Sequence, residues 1–205
     1  MALYKNLSSA QKVRELVTGL KLTLKDERLP AALFDFPRLQ ELYLEAPALR
    51  ELPHTLTGWS ELRVLQLRAP KFRGSLADLF RLPRLENLKV LETPLQPLRL
   101  SIGGTRAPLK FLTLKSCGLT ELPLEVGELT SLTELHLPQN ELTDLPPSFV
   151  DLRLLKRLNL DSNELTRFPS VLEKMQNLGH LSIDGNRFSQ DEKDRIQRHF
   201  SLTVN

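Results

Sequence analysis

Residues 132–154 read LTELHLPQNELTDLPPSFVDLRL, and this stretch decides the fold because its pattern recurs along the chain. The motif LxxLxL returns at intervals of 23 or 24 residues on both sides of it. After one degenerate unit that begins at Val17, the motif starts at Leu39, Leu62, Leu85, Leu109, Leu132, Leu155 and Leu178. A fixed period of this length is typical of stacked repeats, so the sequence predicts a solenoid.

Each unit contains one short strand. In LxLxx the side chains alternate between two faces, so the leucines at positions 4 and 6 face the core while positions 3, 5 and 7 face outward. Further leucines at positions 11, 14, 18 and 21 bring the return path back over the same core. A proline at position 15 suits the first turn of a short helix, and it occurs at Pro30, Pro53, Pro123, Pro146 and Pro169.

The pattern LxxLxLxxNxLxxLPxxLxxLxx resembles the leucine-rich repeat family over about residues 17–188. It is most similar to the intracellular 23-residue LPxxL class, which includes Ras-pathway scaffold proteins, plant relatives and many bacterial proteins. The resemblance implies an α/β fold: a curved right-handed solenoid with a parallel sheet on the concave face, short helical or 3₁₀ segments on the convex face and helical caps. It also implies protein–protein interaction, since some bacterial effector ubiquitin ligases capture their substrates with such arrays.

The sequence predicts three parts: an N-terminal helical cap over 1–16, about eight repeats over 17–188, and a C-terminal capping helix with a tail over 189–205. Ser8 or Ser9 is the expected N-cap of the first helix, whose apolar side is Val13, Leu16 and Val17. For the last helix the expected features are Ser189 as N-cap, Glu192 at the third position, and Ile196 and Phe200 facing inward. We expect the array to be complete within the chain.

Position 9 is the expected site of an asparagine that satisfies backbone groups where the chain leaves the strand. Asn140, Asn163 and Asn186 fit this role. The earlier units have Pro47, Pro70, Thr93 and Cys117 instead. The first half is therefore predicted to be less regular, and Cys117 is predicted to be a buried replacement for the asparagine.

Composition excludes several classes of protein. Leucine supplies 48 of the 205 residues while aromatic residues supply only 6%, so the core must be built from leucine. A single cysteine excludes an intramolecular disulfide framework and a four-cysteine metal site. The sequence has no signal-peptide core and no apolar run of about 18 residues. We therefore expect a cytoplasmic protein, or one delivered into a host cytoplasm if it is a bacterial effector.

Catalytic, metal and cofactor sites are not predicted. His136 and His180 lie two repeats apart, which is about 10 Å by strand spacing and too far for a shared metal. Ser182, His180 and Asp184 are close in sequence, but neighbours along one strand are separated by the pleat and no oxyanion site accompanies them. We therefore expect no enzyme activity from the array.

The predicted partner site is the concave face of repeats 2–5, where outward apolar side chains are surrounded by basic ones. Its residues are Tyr43, Arg63, Val64, Arg68, Lys89, Leu91, Lys110, Phe111 and Lys115. The expected partner is another protein with an acidic or amphipathic surface, bound by a monomer. The alternative interpretation is that irregular repeats tolerate apolar surface residues.

Other ligands are less consistent with the sequence. The outward strand positions include eight basic and seven acidic residues, so a phosphate backbone would meet both signs of charge. A net charge of +3 does not favour nucleic acid either. No amphipathic helix supports binding to a membrane surface. The family resemblance leaves two sharper possibilities open: a small-GTPase pathway scaffold, or a substrate-recruiting module of a bacterial effector.

Overall fold

The computed structural model describes residues 3–53, 55–100 and 107–200. Within them, eight strands form one parallel sheet in the sequential order β1 to β8. The strands are β1 Gly19–Thr23, β2 Glu41–Glu45, β3 Val64–Arg68, β4 Asn87–Leu91, β5 Phe111–Lys115, β6 Glu134–His136, β7 Arg157–Asn159 and β8 His180–Ser182. Each strand pairs with the next repeat's strand, which confirms the predicted curved solenoid with its sheet on the concave face.

The strand register follows the sequence period. Glu41 pairs with Val64, and Val64 pairs with Asn87, so one repeat is 23 residues long at each of these steps. Asn87 pairs with Phe111, which accommodates the single 24-residue unit without changing the face of any side chain. Because a slip of one residue would turn the leucines outward, the hydrophobic pattern alone specifies this register.

The core is a continuous column of leucines. The inward positions of every strand from β1 to β7 are buried, as Leu42 and Leu44 illustrate in β2. The outward positions of the same strand, Glu41 and Tyr43, are only partly buried. No single repeat could bury its own leucines, so the stacked faces form one cluster that runs from Ala10 to Ile196.

The return path consists of 3₁₀ turns, as the resemblance implied. They are Ala31–Phe34, Thr57–Trp59, Ala77–Arg81, Leu124–Glu128, Pro147–Asp151 and Ser170–Lys174. Pro30, Pro123, Pro146 and Pro169 stand one residue before the turn, as its N-cap, rather than inside it as predicted. Their φ angles lie between −60° and −68°, close to the value that the proline ring imposes. Pro53 does not directly precede a 3₁₀ turn.

The turn after the strand contains a ladder of buried amides in the second half of the array. Asn140 Oδ1 accepts hydrogen bonds from the backbone of the preceding repeat, at Cys117 N (2.9 Å) and Leu119 N (3.2 Å). Its Nδ2 donates to the carbonyls of Leu114 (2.8 Å) and Leu137 (2.9 Å). Asn163 and the partly buried Asn186 repeat most of this arrangement one and two units later: each accepts from one N–H of the preceding repeat and donates to one carbonyl of that repeat and one of its own. The predicted role of the position 9 asparagines is therefore confirmed.

In the first half of the array, residues other than asparagine are buried in the turn after the strand. Thr93 is buried at position 9, where its Oγ1 accepts from Ala69 N at 2.9 Å and donates to Leu91 O at 2.8 Å. Pro47 and Pro70 occupy position 9 of their repeats, and both are exposed, which agrees with the predicted irregularity of the first half. The buried place is taken by the preceding residues, Ala46 and Ala69, since a small side chain fits there and a proline could not donate a hydrogen bond.

The N-terminal cap differs from the prediction. Helix α1 spans only Leu7–Gln11, and its N-cap is Asn6, whose side chain accepts from Ser9 N, rather than Ser8 or Ser9. Because the helix ends at Gln11, the expected apolar side is not formed. Val13 is exposed, Leu16 is 70% exposed on a separate 3₁₀ turn, and only Val17 is buried.

The C-terminal cap agrees with its predicted details. Helix α2 spans Gln190–Phe200, and Ser189 Oγ accepts from Glu192 N at 3.2 Å. Ile196 is fully buried, and the Phe200 ring stacks on Phe168 with centroids 4.4 Å apart. The Glu192 side chain accepts from Phe168 N at 2.7 Å, which connects the helix to the last full repeat.

Candidate protein-binding surface

The nine predicted residues lie on the outward surface of β2 to β5 or at its edge, and together they are here called the concave patch. Its middle row runs Tyr43, Gln66, Lys89, Thr113, because each of these residues pairs with the next across the sheet. One flanking row is Glu41, Val64, Asn87, Phe111, and the other is Glu45, Arg68, Leu91, Lys115. Arg63 and Lys110 immediately precede β3 and β5. Seven of the nine residues therefore lie on one face of the sheet, and Arg63 and Lys110 lie at its edge.

The apolar members of the concave patch differ in accessibility. Phe111 is 39% exposed, while Tyr43, Val64 and Leu91 are partly buried between their neighbours. Val64 and Phe111 are two strands apart, about 10 Å, with Asn87 between them. The apolar side chains of the patch are therefore separated from one another and do not form a continuous apolar surface.

Tyr43 is held by its neighbour on the same strand. Its hydroxyl donates to Glu41 Oε2 at 3.3 Å. Burial, followed by the charge of the Glu41 carboxylate, raises the pKa of Tyr43 above its ordinary value. The hydroxyl therefore stays protonated and able to donate at any physiological pH.

Carboxylates from adjacent repeats neutralise most of the basic ring. Glu86 accepts from Arg63 at 2.7 Å and from Lys110 at 2.8 Å, and the hydrogen bond from Lys110 is the main reason that the pKa of Glu86 is lowered. Arg68 lies 2.5 Å from Glu92 and 3.5 Å from Glu45. These two clusters cross three repeats each and fix the orientation of three predicted contact residues.

The positive charge that remains is centred on Lys89. Within residues 3–53, 55–100 and 107–200, Lys89 is exposed and has no carboxylate partner. Lys115 is also exposed, and its charge helps to lower the pKa of Glu92, although the hydrogen bond from Arg68 is the larger cause. These ion pairs were not predicted, although the sequence contains their signal: opposite charges separated by one repeat, 23 or 24 residues.

The residues considered for catalysis are arranged differently from a triad. Ser182 Oγ donates to Asp161 Oδ1 at 2.6 Å, while His180 is exposed at the start of the strand. His136 Nε2 lies 3.3 Å from Glu134 Oε2 on its own strand. The described part of the chain contains no group of three or more His, Cys, Asp or Glu residues placed to hold a metal ion.

Cys117 is buried in the turn, as predicted. Its Sγ lies 3.4 Å from Lys115 O and 3.6 Å from Val90 O, both within reach of a weak thiol hydrogen bond. Burial raises the pKa of the Cys117 thiol to about 12. The thiol is therefore uncharged at neutral pH and enclosed by backbone.

We expect Cys117 to be unreactive in the native protein, because the thiolate is the nucleophile and burial suppresses it. A disulfide-exchange reagent at about pH 8 should leave the native thiol unmodified and modify it rapidly in guanidinium chloride. The Cys117→Ser variant supplies the blank for both conditions. Complete modification of the native protein at the denatured rate would contradict the buried position.

Comparison with known proteins identifies the array. A family model described as leucine-rich repeat region matches residues 99–198, which include the most regular units of the eight-stranded sheet. The chain has the leucine-rich repeat fold. No curated protein sequence matches this leucine-rich repeat protein at a significant level.

Solved structures share its fold at low sequence identity. The leucine-rich repeat domain of the type III effector XopL aligns with 88% of this leucine-rich repeat protein and 66% of its own chain, at 23% identity and a TM-score of 0.70. An internalin-like protein of Listeria monocytogenes aligns with 84% of this chain and 56% of its own, at 23% identity and a TM-score of 0.64. InlP of the same organism aligns with 86% of this chain and 58% of its own, at 24% identity and a TM-score of 0.61. This leucine-rich repeat protein thus spans less than two thirds of these chains.

None of the helices in the described ranges has the length and apolar character required to traverse a bilayer.

Proposed function

We propose that this leucine-rich repeat protein is a protein-binding module whose concave patch binds another protein with an acidic or amphipathic surface. The contact residues are Tyr43, Arg63, Val64, Arg68, Lys89, Leu91, Lys110, Phe111 and Lys115. The module acts as a monomer, without a cofactor, and its setting is the cytoplasm.

One observation carries this proposal. Among the described residues, Phe111 is the large apolar side chain that stands more than a third exposed on a strand. Lys89 and Lys110 flank it on the neighbouring strand and immediately before its own. Aromatic residues are enriched at protein interfaces, so Phe111 is suited to act as an anchor, and the neighbouring lysines favour a partner that carries carboxylates.

The rigidity of the surface supports the same proposal. Arg63, Arg68 and Lys110 are already oriented by carboxylates of neighbouring repeats, so binding would order few additional side chains. A pre-organised surface loses less conformational entropy on association, which favours affinity. The paired carboxylates also reduce the net positive charge, so an amphipathic partner fits the patch better than a uniformly acidic one.

The test compares partner capture by wild type with capture by a Tyr43→Ala/Phe111→Ala variant and a Lys89→Glu variant, each immobilised in equal amount. The amount of partner captured through the concave patch should be at least about tenfold lower for each variant than for wild type, since a hot-spot residue contributes roughly 2 kcal/mol or more to binding. The thermal melt by circular dichroism should not move, because these side chains are at least partly exposed.

Matched controls separate this site from general stickiness. Leu124→Ala removes an apolar side chain that is exposed on a 3₁₀ turn, and Lys193→Glu reverses a charge on helix α2. Both controls should capture the same proteins as wild type. Equal capture by the concave variants and wild type would reject the concave patch as the binding site.

A more specific role is that of a substrate-recruiting module in a bacterial effector. The observation that favours it is the likeness to the leucine-rich repeat domain of the type III effector XopL, which extends over 88% of this chain. In that role the protein would work in a host cytoplasm, and its partners would be found in a host lysate rather than a bacterial one. Identification of the captured proteins distinguishes this role from that of a small-GTPase pathway scaffold, which would capture a small GTPase or a protein of its pathway.

A further inference from the structure

A second surface lies away from the concave patch, on the side edge of the array where β7 and β8 begin. It is an open groove of about 550 Å³, here called the edge groove. Its lining includes Arg153, Leu154, Lys156, Arg157, Asn177 and His180. The backbone of Lys156 accepts from His180 N at 2.9 Å, so adjacent repeats form the two walls.

The edge groove is basic within an acidic half of the protein. Residues 118–192 contain six Lys and Arg against thirteen Asp and Glu. Three of those six cations, Arg153, Lys156 and Arg157, line the groove, and no carboxylate does. A fourth, Lys174, lines an adjoining depression that shares Arg153 with it. Four of the six cations of this half are therefore gathered at one place.

The groove cations also lack the pairing found elsewhere in the array. Within the described residues, Arg153 and Lys156 have no carboxylate partner, although Arg153 N donates to the carbonyl of the exposed Asp151. Arg157 makes only a long contact, 3.8 Å, with Glu134. By contrast, Arg63 and Arg68 of the concave patch are held at 2.7 Å and 2.5 Å by carboxylates. The groove thus retains uncompensated positive charge.

An apolar side chain stands inside this basic rim. Leu154 is 56% exposed, although it is followed directly by the fully buried Leu155. It is the last residue of its repeat. The equivalent position is polar in five other repeats, at Arg38, Glu61, Arg84, Ser131 and Asn177, and apolar in two, at Leu16 and Pro108. The repeat pattern therefore tolerates a leucine here without requiring one, so Leu154 is accessible to a ligand.

We propose that the edge groove binds an acidic peptide segment of a second protein that also carries apolar side chains, independently of the concave patch. Carboxylates of the segment contact Arg153, Lys156 and Arg157, and an apolar side chain packs on Leu154. Charge complementarity defines this occupant. A nucleic-acid backbone would satisfy the cations but leave Leu154 uncontacted, so the combination favours a peptide.

The probe is a fluorescein-labelled peptide of repeated Glu-Glu-Leu units, measured by fluorescence anisotropy at low ionic strength, where exposed charges are least screened. Wild type is compared with Arg153→Glu/Lys156→Glu and with Leu154→Ser. Each variant should raise Kd by about tenfold or more. A Gln-Gln-Leu peptide should bind wild type correspondingly more weakly.

The controls assign the binding to the edge groove. The Lys89→Glu and Phe111→Ala variants of the concave patch should bind the Glu-Glu-Leu peptide as wild type does, so this test can fail while the proposed function stands. The proposal is overturned if wild type does not bind the peptide, if the edge variants bind it unchanged, or if the concave variants lose it.

Two further measurements address other occupants. If a labelled oligothymidine binds wild type more tightly than the peptide does, and the edge variants lose this binding, the ligand of the edge groove is a nucleic acid and not a peptide. Sedimentation of wild type should give a monomer. A dimer that the Arg153→Glu/Lys156→Glu variant dissociates would instead assign the groove to a second copy of this chain.

Discussion

Replacing Asn140 by alanine is expected to lower the free energy of unfolding by about 3 kcal/mol or more. The Asn140 amide satisfies four buried backbone groups: two N–H groups of the preceding repeat, and the carbonyls of Leu114 and Leu137. Each buried polar group left without a partner costs about 1–3 kcal/mol. Urea denaturation with an unchanged m value would measure the loss directly.

The matched control for Asn140 is its neighbour. Glu141 is exposed in the same turn and contributes only its backbone N–H, which donates to Leu119 O. Glu141→Ala should change stability by less than about 0.5 kcal/mol. If Asn140→Ala were as mild as this control, water would be replacing the amide, and the ladder would not be a principal source of stability in the second half.

Replacing Trp59 by alanine is expected to cost about 4 kcal/mol, within the range for deleting a large aromatic side chain from a core. Trp59 is fully buried, its ring stacks on Phe34 with centroids 4.9 Å apart, and its Nε1 lies 3.4 Å from Leu33 O. The contact is close because Gly58 precedes it: a Cβ there would lie 2.1 Å from Phe34 O. Chemical denaturation followed by circular dichroism is the appropriate measurement, since the variant lacks the protein's sole tryptophan.

Two comparison variants test whether the loss of stability in Trp59→Ala comes from the buried ring. Trp59→Phe keeps a ring on Phe34 and should lose markedly less stability than the alanine variant. Leu16→Ala removes an apolar side chain that is 70% exposed and should be nearly neutral. A Trp59→Ala variant as stable as Leu16→Ala would mean that neighbouring leucines collapse into the vacated space.

The solenoid could be predicted from the sequence because its information is local and repeated. The spacing of the leucines specifies which residue of each strand faces inward, and Leu42, Leu65 and Leu88 are buried at equivalent positions. The same register placed Tyr43 and Phe111 on the outward face. The N-terminal cap was predicted less well, since a single short helix offers no repetition, and Val13 and Leu16 were assigned to an apolar side that does not form.

By itself, then, the amino-acid sequence determined the repeat, the strand register, the inward leucines and the set of outward side chains, because burial of one apolar face fixes all of these together. Only the tertiary structure decided which charges meet. Glu86 forms ion pairs with Arg63 and Lys110. Arg153 and Lys156, by contrast, have no carboxylate partner among the residues that the structure describes, and they line the edge groove beside Leu154. Such pairings depend on the reach of long side chains between stacked repeats, and the period of the leucines does not encode that reach.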